Sequence, residues 1–138
     1  MTLNNGASSP RVLIVEDNPA NAMLARAVLK RAGYQVDEAR SADEARRQIK
    51  AALPDLILMD IQLPGQDGLT FTRQLKADPA TAGILIVALT AHAMKEDRER
   101  AAAAGCDGYI AKPFETRALA GQVAEVLNAR RGGPQSEG

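Results

Sequence analysis

Five short apolar runs, each followed by a segment with helical periodicity, constrain the fold of this 138-residue chain more than any other feature. Three of the runs, at residues 12–15, 56–59 and 84–89, are continuously apolar. Such runs are typical of strands that are covered on both faces of a parallel sheet. The runs at 34–39 and 109–111 are shorter or mixed in composition, which favours positions at the edges of that sheet.

Helix signals fill the intervals between the runs. Asn18 and Ser41 suit the N-caps of the first two predicted helices, and the Asp67-Gly68 pair opens the third. Ser41 and Glu44 have the spacing of a capping box, in which each side chain satisfies a backbone N–H at the start of the helix. A fourth helix is predicted over 93–104, and the glycine that follows it at position 105 suits its C-terminal end.

This alternation predicts an α/β protein. Crossovers between parallel strands are right-handed, so the helices cover both faces of an open, doubly wound sheet. We expect a (βα)₅ flavodoxin-like fold with a five-stranded parallel sheet in the order 2-1-3-4-5. The folded domain is predicted to span residues 11–130, with a flexible leader at 1–10 and a flexible tail at 131–138.

Composition excludes several classes of function. Lys plus Arg and Asp plus Glu both number 17, and the zero net charge argues against nonspecific binding to nucleic acid or to anionic membranes. The single cysteine, Cys106, excludes an intramolecular disulfide and a cysteine-based zinc site, and it fits a reducing compartment. The chain has neither a long apolar run nor the apolar segment of a signal peptide, so we expect a cytoplasmic protein.

Polar side chains follow four of the five strands, at the edge where open α/β sheets bind ligands. They are Glu16, Asp17, Asp60, Thr90 and Lys112. Carboxylates about 5 Å apart repel by roughly 3 kcal/mol per pair, which favours a bound divalent cation. Mg²⁺ suits this oxygen-rich set. A carboxylate, a hydroxyl, an ammonium group and a divalent ion suit phosphoryl transfer, with Asp60 as the nucleophile.

The chain resembles the receiver domains of two-component response regulators over about residues 11–130. Four segments carry the resemblance, in this order: VLIVEDN at 12–18, LILMDIQLPG at 56–65, ALTA at 88–91 and GYIAKPF at 108–114. It is similar both to chemotaxis-type single-domain regulators and to the receivers of hybrid histidine kinases. The resemblance implies a phosphorelay protein in which Asp60 accepts a phosphoryl group from the phosphohistidine of a sensor histidine kinase or a histidine phosphotransfer protein.

The resemblance also implies how the metal and the phosphoryl lifetime are controlled. Asp17 matches a direct Mg²⁺ ligand, Glu16 an acidic neighbour that acts through water, and the backbone carbonyl of Gln62 the third protein ligand beside Asp60. Gln62 and His92 match the two positions that tune the lifetime of the aspartyl phosphate.

The same resemblance implies a conformational switch. Thr90 matches the hydroxyl that moves toward the phosphoryl group, and Lys112 matches the lysine that pairs with it. The Lys112–Pro113 peptide bond is expected to be cis. Tyr109 matches an aromatic residue that turns inward on activation. The switched face is implied to comprise the fourth helix, the fifth strand and the fifth helix, and to control a downstream protein.

Several alternatives remain open at this point. One alternative is a receiver module of a hybrid histidine kinase, and another is a phosphorylation-independent adaptor. The initiating Met1 and the two tails favour a stand-alone regulator over the hybrid-kinase module. A phosphatase of the haloacid-dehalogenase type needs a second Asp two residues after the nucleophile, where this chain has Gln62. Aromatic residues make up only 3% of the chain, which disfavours flavin binding. We therefore expect that the protein catalyses only its own phosphorylation and dephosphorylation and is not an enzyme toward another substrate.

Overall fold

The computed structural model describes residues 9–63, 65–91, 95–112 and 115–137, with the backbone alone described from residue 130 onward. Five strands alternate with five helices along the chain. The strands are β1 (Arg11–Val15), β2 (Gln35–Ala39), β3 (Leu56–Asp60), β4 (Leu85–Thr90) and β5 (Gly108–Ala111). The helices are α1 (Pro19–Arg31), α2 (Ala42–Ala51), α3 (Gly68–Ala77), α4 (Lys95–Ala104) and α5 (Thr116–Glu137).

The five strands form one parallel sheet in the order β2-β1-β3-β4-β5, as predicted. The two mixed apolar runs, β2 and β5, lie at its edges, where one side of each strand has no neighbour. From β1 the chain first adds β2 on one side and then β3 on the other. The strand order therefore reverses between β1 and β3, which makes the carboxyl ends of these two strands the expected ligand site.

Side chains of the central strands alternate between two apolar layers because successive residues of a strand point to opposite faces. One layer joins the sheet to α1 and α5, and its central members are Ile14, Leu29, Leu58, Leu89 and Leu119. The other layer joins the sheet to α2 and α3, and its central members are Leu13, Ile49, Ile57, Phe71 and Ile86. Burial on both faces explains why these strands read as continuous apolar runs.

The two predicted N-caps, Asn18 and Ser41, are confirmed, and Asp67 is the N-cap of α3. The side chains of Asn18, Ser41 and Asp67 each accept a hydrogen bond from the backbone N–H three residues later, at 3.0, 3.2 and 2.9 Å. The capping box differs from the prediction in one partner. The carboxylate of Glu44 accepts from the N–H of Arg40 at 2.6 Å, one residue before the N-cap. Glu44 therefore satisfies a backbone N–H of the segment that leads into α2, one residue before the cap.

Helix α4 ends at Ala104, as predicted. Its predicted first residues, 93 and 94, lie outside the described residues. Helix α5 continues through Glu137, where a flexible tail was expected from residue 131. The flexible tail predicted from residue 131 stays a prediction. The domain limits of 11 and 130 stay a prediction.

No described helix is both long and apolar enough to cross a membrane.

A lysine joins the amino ends of β4 and β5, opposite the expected ligand site. Lys76 of α3 donates to the carbonyl of Ile84 at 2.8 Å and to the carboxylate of Asp107 at 3.0 Å. The same carboxylate accepts the backbone N–H of Ile86 at 2.9 Å. The end of α3, the start of β4 and the turn before β5 are thus held together.

The first residue of α3, Gly68, brings that helix directly against the end of β3. A Cβ atom on Gly68 would lie 2.3 Å from the carbonyl oxygen of Asp60 and 2.8 Å from the Cα of Ile61. The N–H of Gly68 also donates to the carbonyl of Ile61 at 3.0 Å. The loop that joins β3 to α3, described at residues 61–63 and 65–67, is therefore closed at its base by a contact that only glycine allows.

We expect Gly68→Ala to destabilise the fold by about 1–3 kcal/mol, because the neighbours of the added methyl group are backbone atoms. Gly121→Ala is the matched control, since Gly121 lies within α5 with nothing within 4 Å of its Cβ position. That control should raise the unfolding free energy by up to about 1 kcal/mol through helix propensity. Urea denaturation measures both values, and equal stability of the two variants would contradict the close approach.

Candidate functional site

Three carboxylates meet at the carboxyl ends of β1 and β3. Glu16 and Asp17 follow β1, Asp60 is the last residue of β3, and these strands are neighbours in the sheet. One carboxylate oxygen from each residue lies within 4.8 Å of the others. Glu16 and Asp60 are buried, at 2% and 3% exposure, whereas Asp17 is exposed. The structure thus brings together the acidic residues that the sequence singled out.

Lys112 supplies the positive charge of this cluster. Its Nζ lies 2.9 Å from Oδ2 of Asp60 and 3.0 Å from Oε1 of Glu16. Its backbone N–H donates to the carbonyl of Thr90 at 2.7 Å, which ties the end of β5 to the end of β4. Burial acts to lower the pKa of Lys112, but the contacts with Asp60 and Glu16 outweigh it and the net shift of the pKa is upward. The ammonium group therefore stays charged between two carboxylates.

Glu16 is the electrostatically strained member of the cluster. Burial, together with the adjacent Asp60 carboxylate, raises its pKa from 4.5 to about 6, against the opposing effects of Lys112 and of the Asn18 backbone. Its Oε2 accepts the N–H of Asn18 at 3.2 Å. Its buried Oε1 has no hydrogen-bond partner among the described residues, although the Lys112 ammonium lies near it as an ion pair.

This arrangement fits a hard divalent cation. Glu16, Asp17 and Asp60 offer three oxygen ligands, whose negative charge a single ammonium group does not balance. Oε1 of Glu16 is buried and shares the Lys112 ammonium with Asp60, so a metal ion would neutralise the remaining negative charge. Mg²⁺ takes oxygen ligands and keeps several waters, so the residues suit it. The role predicted for the Gln62 carbonyl stays a prediction.

The Asp60 carboxylate is held at both oxygens. The backbone N–H of Gln62 donates to Oδ1 at 2.9 Å, and Lys112 donates to Oδ2 at 2.9 Å. The Gln62 side chain is exposed and lies in the loop that follows β3. These two hydrogen bonds fix the orientation of the carboxylate at the edge of the sheet.

Thr90 and Tyr109 occupy the neighbouring strands. Thr90 is the last residue of β4 and is 1% exposed; it lies one residue beyond the partner of Asp60 in the parallel register. Tyr109 pairs with Ala88 in register and is partly buried against the cluster that joins α3 and α4. Their predicted switch roles stay predictions. His92 and Pro113 lie outside the described residues, and so does the predicted cis peptide bond.

Two contacts of this site were not predicted. Asn18 was assigned only as an N-cap, yet its N–H donates to Glu16. Gly68 was assigned only to the start of a helix, yet it sets the distance of α3 from Asp60. The Asp-Gly pair at 67–68 indicated only that a helix begins there, because a sequence does not reveal how closely two backbones approach.

Glu16 should make stability depend on pH in metal-free protein. Its pKa is higher in the folded state, so the folded protein binds a proton more tightly between 4.5 and about 6. The contribution of Glu16 to the unfolding free energy therefore falls as the pH rises through this window. Glu16→Gln should remove this decrease, whereas Glu99→Gln, at an exposed position of α4, should retain it. Urea denaturation in EDTA, repeated at several pH values across this window, measures the unfolding free energy. If the pH profile of Glu16→Gln ran parallel to that of the unchanged protein, the prediction would be contradicted.

Comparison with known proteins gives the same fold and family. A family model described as the response regulator receiver domain matches residues 12–124. The polar-differentiation response regulator DivK of Brucella ovis is 47% identical over 103 residues, which cover 75% of this chain and 84% of DivK. The phosphate regulon transcriptional regulatory protein PhoB of Rhizobium meliloti is 37% identical over 126 residues, or 91% of this chain. This chain spans only 55% of the length of PhoB.

Solved structures agree. The chemotaxis response regulator CheY4 of Vibrio cholerae superposes with a TM-score of 0.83 at 27% identity, covering 87% of this chain and all of CheY4. The signal receiver domain of a histidine kinase from Syntrophus aciditrophicus superposes with a TM-score of 0.79 at 34% identity, covering 88% of this chain and 92% of that domain. The fold, the matched residues and these relatives together establish that the chain belongs to the response regulator receiver domain family.

Proposed function

We propose that this receiver domain is a phosphorylation switch in which Asp60 accepts a phosphoryl group from a phosphohistidine. The observation that carries the proposal is the Glu16–Asp17–Asp60 cluster with the Lys112 ammonium in contact with the Asp60 carboxylate. The donor is the phosphohistidine of a sensor histidine kinase or of a histidine phosphotransfer protein. The chain acts on its own carboxylate and, in this proposal, is no enzyme toward a separate substrate.

The chemistry is a displacement at phosphorus. A carboxylate oxygen of Asp60 attacks the phosphorus atom, an O–P bond forms, and the P–N bond to the histidine breaks. The Gln62 N–H and the Lys112 ammonium hold the carboxylate in one orientation before the attack. Mg²⁺, when held by Glu16, Asp17 and Asp60, supplies neutralisation of the charge on the transferring group. Lys112 supplies a second positive charge at the same place.

The switch follows from the added charge. A phosphoryl group adds a charge of about −1.5 to −2, and Lys112 then exchanges part of its contact with Glu16 for the new oxygens. Thr90 lies at the end of β4 and donates its hydroxyl to the phosphoryl group in the active state. The equilibrium between the two states shifts by the difference in their affinity for that group.

The output is carried by α4, β5 and α5. Lys112 directly follows β5 and is tied to β4 through the Thr90 carbonyl, while Tyr109 packs on the cluster that α4 covers. Movement at the phosphoryl group therefore reaches this face through packed residues. The partner is a downstream protein, bound without direct contact to nucleic acid or membrane. The DivK and CheY4 relatives favour a single-domain regulator, for which we propose a cytoplasmic location. The histidine kinase relative keeps a hybrid-kinase receiver as the alternative.

Incubation with acetyl phosphate and Mg²⁺, followed by intact-mass measurement, tests the acceptor. We expect a gain of one phosphoryl group that depends on Mg²⁺ and is absent in Asp60→Asn. Asp17→Asn should retain the acceptor but require more Mg²⁺, because it removes one of the three carboxylates. Asp55→Asn, at the opposite end of β3, removes an unrelated carboxylate and should be phosphorylated like the unchanged protein.

Phosphorylation of Asp60→Asn to the normal extent would move the acceptor to another residue. A folded protein that gains no mass from acetyl phosphate or from a phosphohistidine donor would contradict the switch. Under that result the phosphorylation-independent adaptor replaces it.

A further inference from the structure

Arg46 of α2 joins three parts of the structure around one guanidinium group. It donates to the side-chain oxygen of Gln66 at 2.9 Å and to that of Gln74 at 2.5 Å. It also pairs with Asp43 of its own helix at 3.1 Å. The guanidinium lies 4.8 Å from the ring centre of Phe71, which is 1% exposed and belongs to the layer under α2 and α3. This multiple use of one planar fork is a geometry that lysine does not reproduce.

One of these partners belongs to the loop that shapes the site. Gln66 lies in the loop between β3 and α3, whose first residues follow Asp60 directly. The loop is closed at its base by the hydrogen bond from Gly68 to Ile61, and Leu63 packs against the layer under α2 and α3. The contact with Gln66 is the polar tether, among the described residues, that binds this loop to α2.

The loop carries the backbone groups that act on Asp60. The N–H of Gln62 donates to Oδ1 of Asp60, and the carbonyl of the same residue is the predicted third metal ligand. A backbone ligand has no side-chain freedom with which to correct its position. Its placement therefore depends on how firmly the loop is held at other points.

We propose that Arg46 is a positioning residue, which holds the loop between β3 and α3 through Gln66 and thereby places the Gln62 backbone for Mg²⁺ binding beside Asp60. The inference rests on the proposed function, since it assigns a residue that supports the metal site of that switch. Arg46 itself touches none of the reacting groups, so its effect is transmitted through the loop.

Electrostatics alone predicts the opposite effect of removing this residue. Loss of a positive charge near an acidic cluster strengthens cation binding, or leaves it unchanged where solvent and salt screen the charge. Loss of a loop tether weakens cation binding, because the loop must then be ordered when the ion binds. The sign of the change in Mg²⁺ affinity therefore separates positioning from charge.

The experiment compares Arg46→Ala with Arg47→Ala in the full chain. Arg47 is the next residue of α2 and is exposed, and no hydrogen bond or ion pair joins it to the loop among the described residues. Both variants lose one positive charge from the same helix. In a calorimetric titration with Mg²⁺, the affinity of Arg46→Ala should be roughly fivefold weaker than that of Arg47→Ala. This factor corresponds to the net free energy of one hydrogen bond.

Gln66→Ala provides a second variant with little effect on folding. It should weaken Mg²⁺ binding like Arg46→Ala, and the double variant should show no further loss, because both changes break the same tether. An affinity of Arg46→Ala equal to or tighter than that of Arg47→Ala would overturn the inference. Independent, additive losses for Arg46→Ala and Gln66→Ala would overturn it as well.

Amide hydrogen exchange in metal-free protein gives a readout without metal. In Arg46→Ala the Gln62 amide should exchange faster, while the Leu58 amide within β3 keeps its rate. If the unchanged protein bound no Mg²⁺, the metal part of the proposed function would fail, and this exchange measurement would still decide whether Arg46 holds the loop. Unchanged Gln62 exchange, or equal acceleration at Gln62 and Leu58, would overturn the inference.

Discussion

The contact of one ammonium group with two buried carboxylates organises the functional end of this domain. Lys112 reaches from the end of β5 to Asp60 at the end of β3 and to Glu16 after β1, so it spans the carboxyl edge of the sheet. Without it, two acidic groups in a water-poor site repel each other. With it, the three carboxylates of the site still carry more negative charge than one ammonium group balances. Such a site suits a divalent cation.

Most of the fold was predictable from pattern because one physical cause dominates it. Strands covered on both faces have to be apolar at every position, and the three continuous runs became β1, β3 and β4. The mixed runs became the edge strands β2 and β5, because an edge strand is less fully covered and tolerates polar side chains. The polar partner of Glu44 was not predictable in this way. A capping partner depends on local competition between donors, in which small free-energy differences decide the outcome.

The acidic residues of the site were predictable because the sheet topology brings strand ends together. Glu16, Asp17 and Asp60 follow from the strand order and the position of each carboxylate. The tether between Arg46 and Gln66 was not predictable, because these residues are 20 positions apart and lie on elements whose packing angle no sequence pattern encodes. The approach of Gly68 to Asp60 was hidden for a related reason, since an Asp-Gly pair reads equally well as an ordinary helix start. Residues that bear the chemistry are thus easier to find than residues that hold them in place.

The lysine at the other end of the sheet bears on how such a domain can move. Lys76 and Asp107 fasten the amino ends of β4 and β5 to α3, about the length of a strand away from Thr90 and Lys112. A segment that is anchored at one end and pulled at the other turns about its anchor instead of sliding along the sheet. If the proposed switch pulls on Thr90 and Lys112, we therefore expect the largest displacement at the carboxyl edge of the sheet, while the fastened end keeps its register.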